Sequence, residues 1–448
     1  MTRAATDGEG RSTMLRGTLA ERASGLASGA FLLLVAALAG PIAPMGIAAA
    51  LTGALTLAAL VRWPARAGAA LADDPPGSRA WPRTPVDLAA AGWLVAMLLA
   101  SATSLDPAAS FPRVTKAFMP LLVGLAAYHT ADARTGRRAL AVYLGAAALG
   151  SAWGLAAWVA HGAGFASRAR GLVGHYMTFG GQLLLAAPVA LGVALTARSR
   201  AWRVGAAAVA VLAVAALAGT FTRSAWLGLF VACAVLLGAT RPLGLVALAA
   251  AGAAAWLLAP GAWGARLHSV VDPRNLWNRE RVFMWEAGLR MFRDHPLTGV
   301  GLQDLHALYD QYRSPDSTER AGHLHNAYVQ IAASMGLVGL AAFAWLYASL
   351  VRTAWGRLGP LAGLAGRLRR RPGAMARSAD AAGSGDATAS LAAGVRLGVT
   401  AALIGFLVAG AFEWNFGDEE LLYALYTLAG IAWASRAWGE PRSSEAHT

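Results

Sequence analysis

Charge in this chain is confined to short islands between long apolar runs, and that segregation decides what it can fold into. Of 448 residues, 57% are apolar and only 14% charged, with a mean hydropathy of +0.48. A soluble protein of this length is about a quarter charged. A helix needs about 20 apolar residues to cross the hydrocarbon core of a bilayer, and many of the runs reach that length. Without water to satisfy backbone groups, such segments are helices or strands of a closed barrel. The runs are continuous and rich in Ala, Leu, Val and Gly, lacking the alternation of barrel strands. The fold class is therefore all-α: a polytopic transmembrane helical bundle.

Apolar segments fall near 24–40, 42–61, 86–104, 115–130, 139–160, 176–197, 202–220, 224–240, 242–260, 325–351, 392–412 and 419–437, which predicts about 12 spans. Residues 24–260 hold spans 1–9, residues 324–351 span 10 and residues 392–437 spans 11–12. The net charge of +14 is carried by Arg. In a soluble protein that balance suggests nucleic acid; here it follows the positive-inside rule, and no nucleic-acid partner is expected. Placing the polar tail 1–23 in the cytoplasm puts Arg62, Arg66, Arg79 and Arg83 inside, then Arg134, Arg137 and Arg138, then Arg198, Arg200 and Arg203, then Arg241. The basic segment 352–391, with Arg367, Arg369, Arg370, Arg371 and Arg377, falls inside too, as does the tail 438–448. The Ala/Gly/Ser/Asp-rich end of segment 352–391, from Ser378 to Ser390, predicts partial disorder there. No Ala-x-Ala cleavage site stands out before the first span, which is read as uncleaved. Cys233 is the single cysteine, so a disulfide or Cys-based metal site within the chain is excluded.

The same topology places residues 261–323 outside, as one large loop with eight basic and eight acidic residues. Long translocated loops are largely exempt from the charge rule. Within it, Val282, Trp285, Leu289 and Phe292 recur at helical spacing between Arg279 and Arg293. They predict an amphipathic helix lying on the membrane surface or over the bundle. Pro296 and Gly299-Val300-Gly301 end it.

Some arginines are left unexplained by topology. Arg168 and Arg170 precede the sixth span, Arg223 lies at the outer junction of the seventh and eighth, and Arg281 opens the amphipathic helix. A cation near the apolar zone is costly and usually has a partner. Guanidinium matches phosphate oxygens bidentately, so several on one face point to an anion such as diphosphate. The plainer alternative is that each snorkels to lipid head groups or pairs with a local carboxylate such as Glu280. His323-Leu324-His325-Asn326 stands where the loop enters span 10. Zinc helices favour i, i+4 spacing and the sequence offers no evident third ligand, so no metal is expected. An imidazole, with an ordinary pKa of about 6.5, suits proton acceptance.

These residues carry a resemblance. His325-Asn326, nine residues, then Gly336-Leu337-Val338-Gly339 resembles the His-[Asn/Ser/Gln]-x9-Gly-x-x-Gly pattern of the O-antigen ligase and polymerase family. Arg281 through Trp285 and His295-Pro296 to Gly299-Val300-Gly301 is similar to that family's stretch before the histidine. Thr222-Arg223-Ser224-Ala225-Trp226 is similar to its other arginine motif, with Thr where Ser is frequent. The turn from Trp414 through Asn415, Gly417 and Asp418 to Glu420 also resembles the family; the likeness covers roughly residues 168–437.

The resemblance implies an inverting, metal-independent glycosyltransferase without cofactor in the bacterial inner membrane, with its active site facing the periplasm. It moves a glycan from undecaprenyl diphosphate to an acceptor hydroxyl, on lipid A-core or another molecule, in surface polysaccharide biosynthesis. Carried over by position, His325 is the general base, while Arg223 and Arg281, with Arg170 a further candidate, hold the diphosphate. His323 is a supporting residue, in contact with substrate or simply part of the loop. Asn326 orients the ring or caps the helix, and Gly336 and Gly339 allow close helix packing. A polymerase or a protein O-oligosaccharyltransferase shares this logic and differs in acceptor. A permease needs ionisable residues at mid-membrane depth, whereas these candidates cluster at span ends.

Overall fold

A computed structural model describes residues 24–62, 81–355 and 384–438. The expected tails, the arginines Arg66 and Arg79, and most of the basic segment 352–391 lie outside the described residues. Among the described residues there is no strand. The chain is a multi-pass helical membrane protein.

Helices α1 (Ser24–Ala37) and α2 (Ile42–Arg62) are separated at Gly40-Pro41. Then come α3 (Asp87–Ala102), one turn of α4 (Pro107–Ser110), a 3-10 stretch over Phe111–Phe118, and α5 (Leu121–His129). The long helices α6 (Ala133–Ala160), α7 (Tyr176–Thr196), α8 (Arg200–Thr220) and α9 (Arg223–Thr240) follow. After α10 (Gly244–Leu258), the chain bends by 107° into α11 (Gly261–His268). Pro260 lacks an N–H to continue the ladder, and Gly261 takes a positive φ of 53°. Helices α12 (Leu276–Asp294) and α13 (His306–Tyr312) precede α14 (Ala327–Trp355), α15 (Ser384–Gly410) and α16 (Glu419–Ala434).

Seven described helices are long and apolar enough to cross a membrane, eight if the bent α10–α11 pair is one span. The difference from about twelve lies in four segments, the first being α1 with its 14 residues. α3 and α16 have 16 residues each, and the segment expected at 115–130 contains only the nine residues of α5 after its 3-10 stretch. At 1.5 Å per residue, α5 is about 14 Å long against a core of about 30 Å. Hydropathy registers the apolar run there but not Pro112 and Pro120, which interrupt a single α-helix.

α7 is the most enclosed span, packed between α8, α9 and α15. Backbones meet closely there: a β-carbon on Gly192 would press on Gly394 and Gly398, and one on Gly405 would press on the Gly228 carbonyl. Small residues of this kind let membrane helices gain dispersion contacts that a hydrophobic driving force cannot supply inside lipid.

The two glycine motifs flanking the histidine form one joint. α14 breaks at Gly336, which adopts φ 62° and ψ −155°, a region essentially closed to other residues. Into that break fits segment 296–301. Leu337 N–H donates to the Pro296 carbonyl (2.9 Å) and Val338 N–H to Leu297 (3.1 Å). In return Val300 N–H donates to Ala333 (2.8 Å) and Gly301 N–H to Ser334 (3.0 Å). A side chain at Gly299 or Gly336 would meet the opposite backbone. The carbonyls freed by the break are thereby satisfied, as a membrane-depth break requires.

The expected amphipathic helix exists as α12, but its buried stripe differs. Met284, Ala287, Gly288 and Met291 are buried, whereas Val282 and Leu289 are 46% and 53% exposed. Gly288 lies against Leu324 and Val329, so α12 packs closely on the start of α14 through its small residues. The more apolar residues at 282, 285, 289 and 292 lie on another side of the helix, where Val282 and Trp285 line a cavity. Periodicity located the helix; residue size, rather than hydropathy, chose the packed face.

Candidate active site

Residues at one end of the bundle converge on Glu413, in the turn between α15 and α16. Its Oε1 is 2.8 Å from His325 Nδ1 and 3.7 Å from His323 Nε2, and its Oε2 is 3.5 Å from an Arg281 terminal nitrogen. The Trp414 N–H donates to Oε1 at 3.1 Å. Burial by itself pushes a carboxylate's pKa up; here the adjacent imidazoles and Arg281 outweigh it and hold Glu413 well below the usual range. Glu413 is thus an ionised acceptor. In a neutral His325 imidazole, a carboxylate accepting at Nδ1 selects the tautomer whose Nε2 carries the lone pair.

His325 is held in the left-handed region at φ 47°, a strained setting for a residue with a β-carbon. Asn326 beside it accepts from the N–H groups of Tyr328 (3.0 Å) and Val329 (3.1 Å), so it caps α14 and does not orient the ring. Gln330 reaches back to the Leu324 N–H at 2.9 Å and secures the turn. The His323 and His325 ring centres are 4.3 Å apart.

Arg223 begins α9. Its guanidinium donates to the Ser269 carbonyl (2.8 Å), Ser269 Oγ (3.0 Å) and Asn278 Oδ1 (2.8 Å), tying α9 to the link between α11 and α12. Arg281 does not pair with its neighbour Glu280, which is buried and accepts from Ser317 Oγ (2.7 Å), Thr318 N–H (3.1 Å) and Thr318 Oγ1 (2.9 Å). Arg168 sits between the rings of Phe165 and Tyr176, 4.0 and 4.2 Å from their centres. Arg170 is exposed and lines neither cavity described below.

Two residues escaped the sequence reading. Arg266 of α11 donates to the Phe221 carbonyl at 3.2 Å, within electrostatic range of Arg168, Arg223 and Arg281. Its apolar surroundings in the sequence carry no motif. Glu413 does leave a signal, being the one acidic residue between 387 and 417, at the end of an apolar run; such a residue marks a site by default.

Two cavities meet here. The first, about 1000 Å³, is walled mainly by apolar side chains of α8 to α12, including Leu217, Phe230, Trp256 and Trp263, with Arg223, Asn278 and Arg281 also lining it. The second, about 470 Å³, is more polar and holds His325, His323, Glu413, Gln303, Lys116 and Asp418. Phe412 faces the first and Glu413 and Trp414 the second, so residues 412–414 form part of the partition. Lys116 is partnered by Glu419 at 3.1 Å and by the Gly417 carbonyl. Asp418 accepts from Thr178 Oγ1 at 3.0 Å. The arrangement offers fixed positive charge from one side and a proton acceptor from the other, joined through one carboxylate.

None of the curated proteins compared matches this chain. A family model described as O-Antigen ligase matches residues 208–344, from within α8 to within α14. That stretch contains Arg223, Arg266, Arg281, His323, His325 and the Gly299–Gly336 joint; Glu413 lies beyond it. Over residues 208–344, this membrane protein is similar to the O-antigen ligase family.

Proposed function

We propose that the chain transfers a glycan from undecaprenyl diphosphate to an acceptor hydroxyl, at the periplasmic face of a bacterial inner membrane. The observation that carries this reading is the chain Arg281–Glu413–His325, which links the arginine-bearing cavity to the cavity where a base can act. The first cavity takes the carrier, with its diphosphate at Arg223 and Arg281 and its hydrocarbon along the apolar wall. The second takes the acceptor, with its hydroxyl at His325 Nε2.

In the reaction the acceptor oxygen attacks the anomeric carbon and its proton passes to His325 Nε2. The bond from that carbon to the diphosphate oxygen breaks, and the electron pair leaves with the diphosphate. Attack opposite the leaving group inverts the anomeric centre. Diphosphate is a good leaving group, so positioning, a base and fixed charge are the contributions required of the protein. The charge developing on His325 is balanced by Glu413, and that on the leaving oxygen by the arginines. None of these steps draws on a cofactor. A sugar hydroxyl of lipid A-core makes the chain a ligase; a lipid-linked glycan acceptor makes it a polymerase.

The test is transfer by purified protein from a polyprenyl-diphosphate oligosaccharide to candidate acceptors, read as release of the diphosphate carrier. His325→Ala is expected to remain folded and to lose at least about 10²-fold in rate, the lower end for a general base. Full activity of that variant overturns the assignment.

A further inference from the structure

The sequence offers two imidazoles and no third ligand; the fold supplies one from 88 residues away. His323, His325 and Glu413 each offer one ligand atom, a ring nitrogen or a carboxylate oxygen, and the three atoms lie within 4.8 Å of one another. Two of the separations are 2.8 and 3.7 Å. Tetrahedral zinc with bonds of about 2.0–2.1 Å needs neighbouring ligand atoms about 3.3 Å apart, so these separations bracket the requirement. Two histidines and one carboxylate are a common zinc set that keeps a fourth position for water. His323 is 42% exposed, giving a cation a way in from the second cavity. The left-handed turn at His325 helps bring the two rings side by side.

We propose that His323, His325 and Glu413 form a site for a borderline divalent cation, of which Zn2+ is the type, and that occupancy switches transfer off. The inhibitory part rests on His325 being the base; the binding part does not. Metal on Nδ1 takes the lone pair of the nitrogen that otherwise carries the proton. The neutral ring then holds its proton on Nε2, with no net change in charge. An Nε2–H has no lone pair to receive the acceptor's proton, and Glu413 is occupied as a ligand. Arg281, 3.5 Å from the other Glu413 oxygen, repels the cation, so binding is weaker than at an isolated zinc triad and reversible by a chelator.

The test uses full-length protein in detergent, stripped with chelator and dialysed against Zn2+, with bound metal measured by atomic absorption. One zinc per chain is expected, with affinity reduced about tenfold or more in His323→Ala and Glu413→Gln, as for lost metal ligands or their supports. Melting without zinc establishes that each variant is folded, and the near-isosteric Glu413→Gln decides the matter if His323→Ala melts early. Substoichiometric zinc in the wild type, or undiminished binding in a folded variant, overturns the site. In a parallel transfer assay, zinc is expected to inhibit the wild type, EDTA to restore it, and the inhibition constant to rise in His323→Ala. Zinc bound without inhibition overturns the switch. Zinc bound by a protein inactive under every condition refutes the transferase reading instead.

Discussion

At the scale of single residues, the site is held together by an acid that no motif announced. Arg223, Arg281 and His325 were legible because each is an ionisable residue that loop topology does not explain. Their mutual placement was not, because it runs through Glu413 from the far end of α15. An isolated reading of Arg281 turns it toward Glu280; the structure gives Glu280 to Ser317 and Thr318. Glu413→Gln keeps the shape and removes the charge that fixes the His325 tautomer and balances its proton. The expected outcome is a fall in kcat of about 10²–10⁴ with KM little changed, in line with losing the acid behind a catalytic histidine. A variant that raises KM alone refutes the positioning role. Because the Glu413 pKa is held below its unfolded value, its contribution to stability is complete above the unfolded carboxylate range. That contribution is lost only as the pH falls toward the folded value.

At the scale of elements, the Gly299–Gly336 joint explains a spacing that the sequence reading took for simple helix packing. The family-like pattern places a glycine eleven residues after His325 because α14 must open there to receive segment 296–301. The strand-like exchange of four backbone hydrogen bonds across the joint is invisible to hydropathy, as is the choice of Ala287 and Gly288 for the packed face of α12. The same blindness to backbone geometry made the interrupted segment around α5 read as a span. Gly336→Ala is expected to destabilise the protein by about 3 kcal/mol, the upper range for forcing a β-carbon into a glycine-only region. Gly145, in α6, has nothing within 4 Å of an added β-carbon. Gly145→Ala is therefore expected to stabilise by up to about 1 kcal/mol, through helix propensity. Thermal melts of the two variants against wild type check both signs, and equal melting temperatures refute the joint.

At the scale of the whole molecule, fold class was plain from charge segregation, because a bilayer leaves an apolar chain few choices. Where the binding free energy comes from is a separate question, and the solvent answers it. A donor with a polyprenyl tail is already dissolved in lipid, so moving that tail into the apolar wall around Phe230 and Trp256 gains little hydrophobic free energy. On the proposed reaction, the differential affinity then resides in the head group, at Arg223 and Arg281. A charge-assisted hydrogen bond contributes about 1.5–3 kcal/mol, or roughly tenfold to a hundredfold each. In vesicles at equal donor mole fraction, shortening the prenyl chain by several units is therefore expected to change kcat/KM by less than about threefold, since the tail exchanges one apolar environment for another. Arg223→Ala is expected to lower it by about tenfold to a hundredfold for the same donors. The opposite ranking, a steep dependence on chain length with a mild arginine effect, places recognition in the groove and removes the diphosphate from the centre of the mechanism.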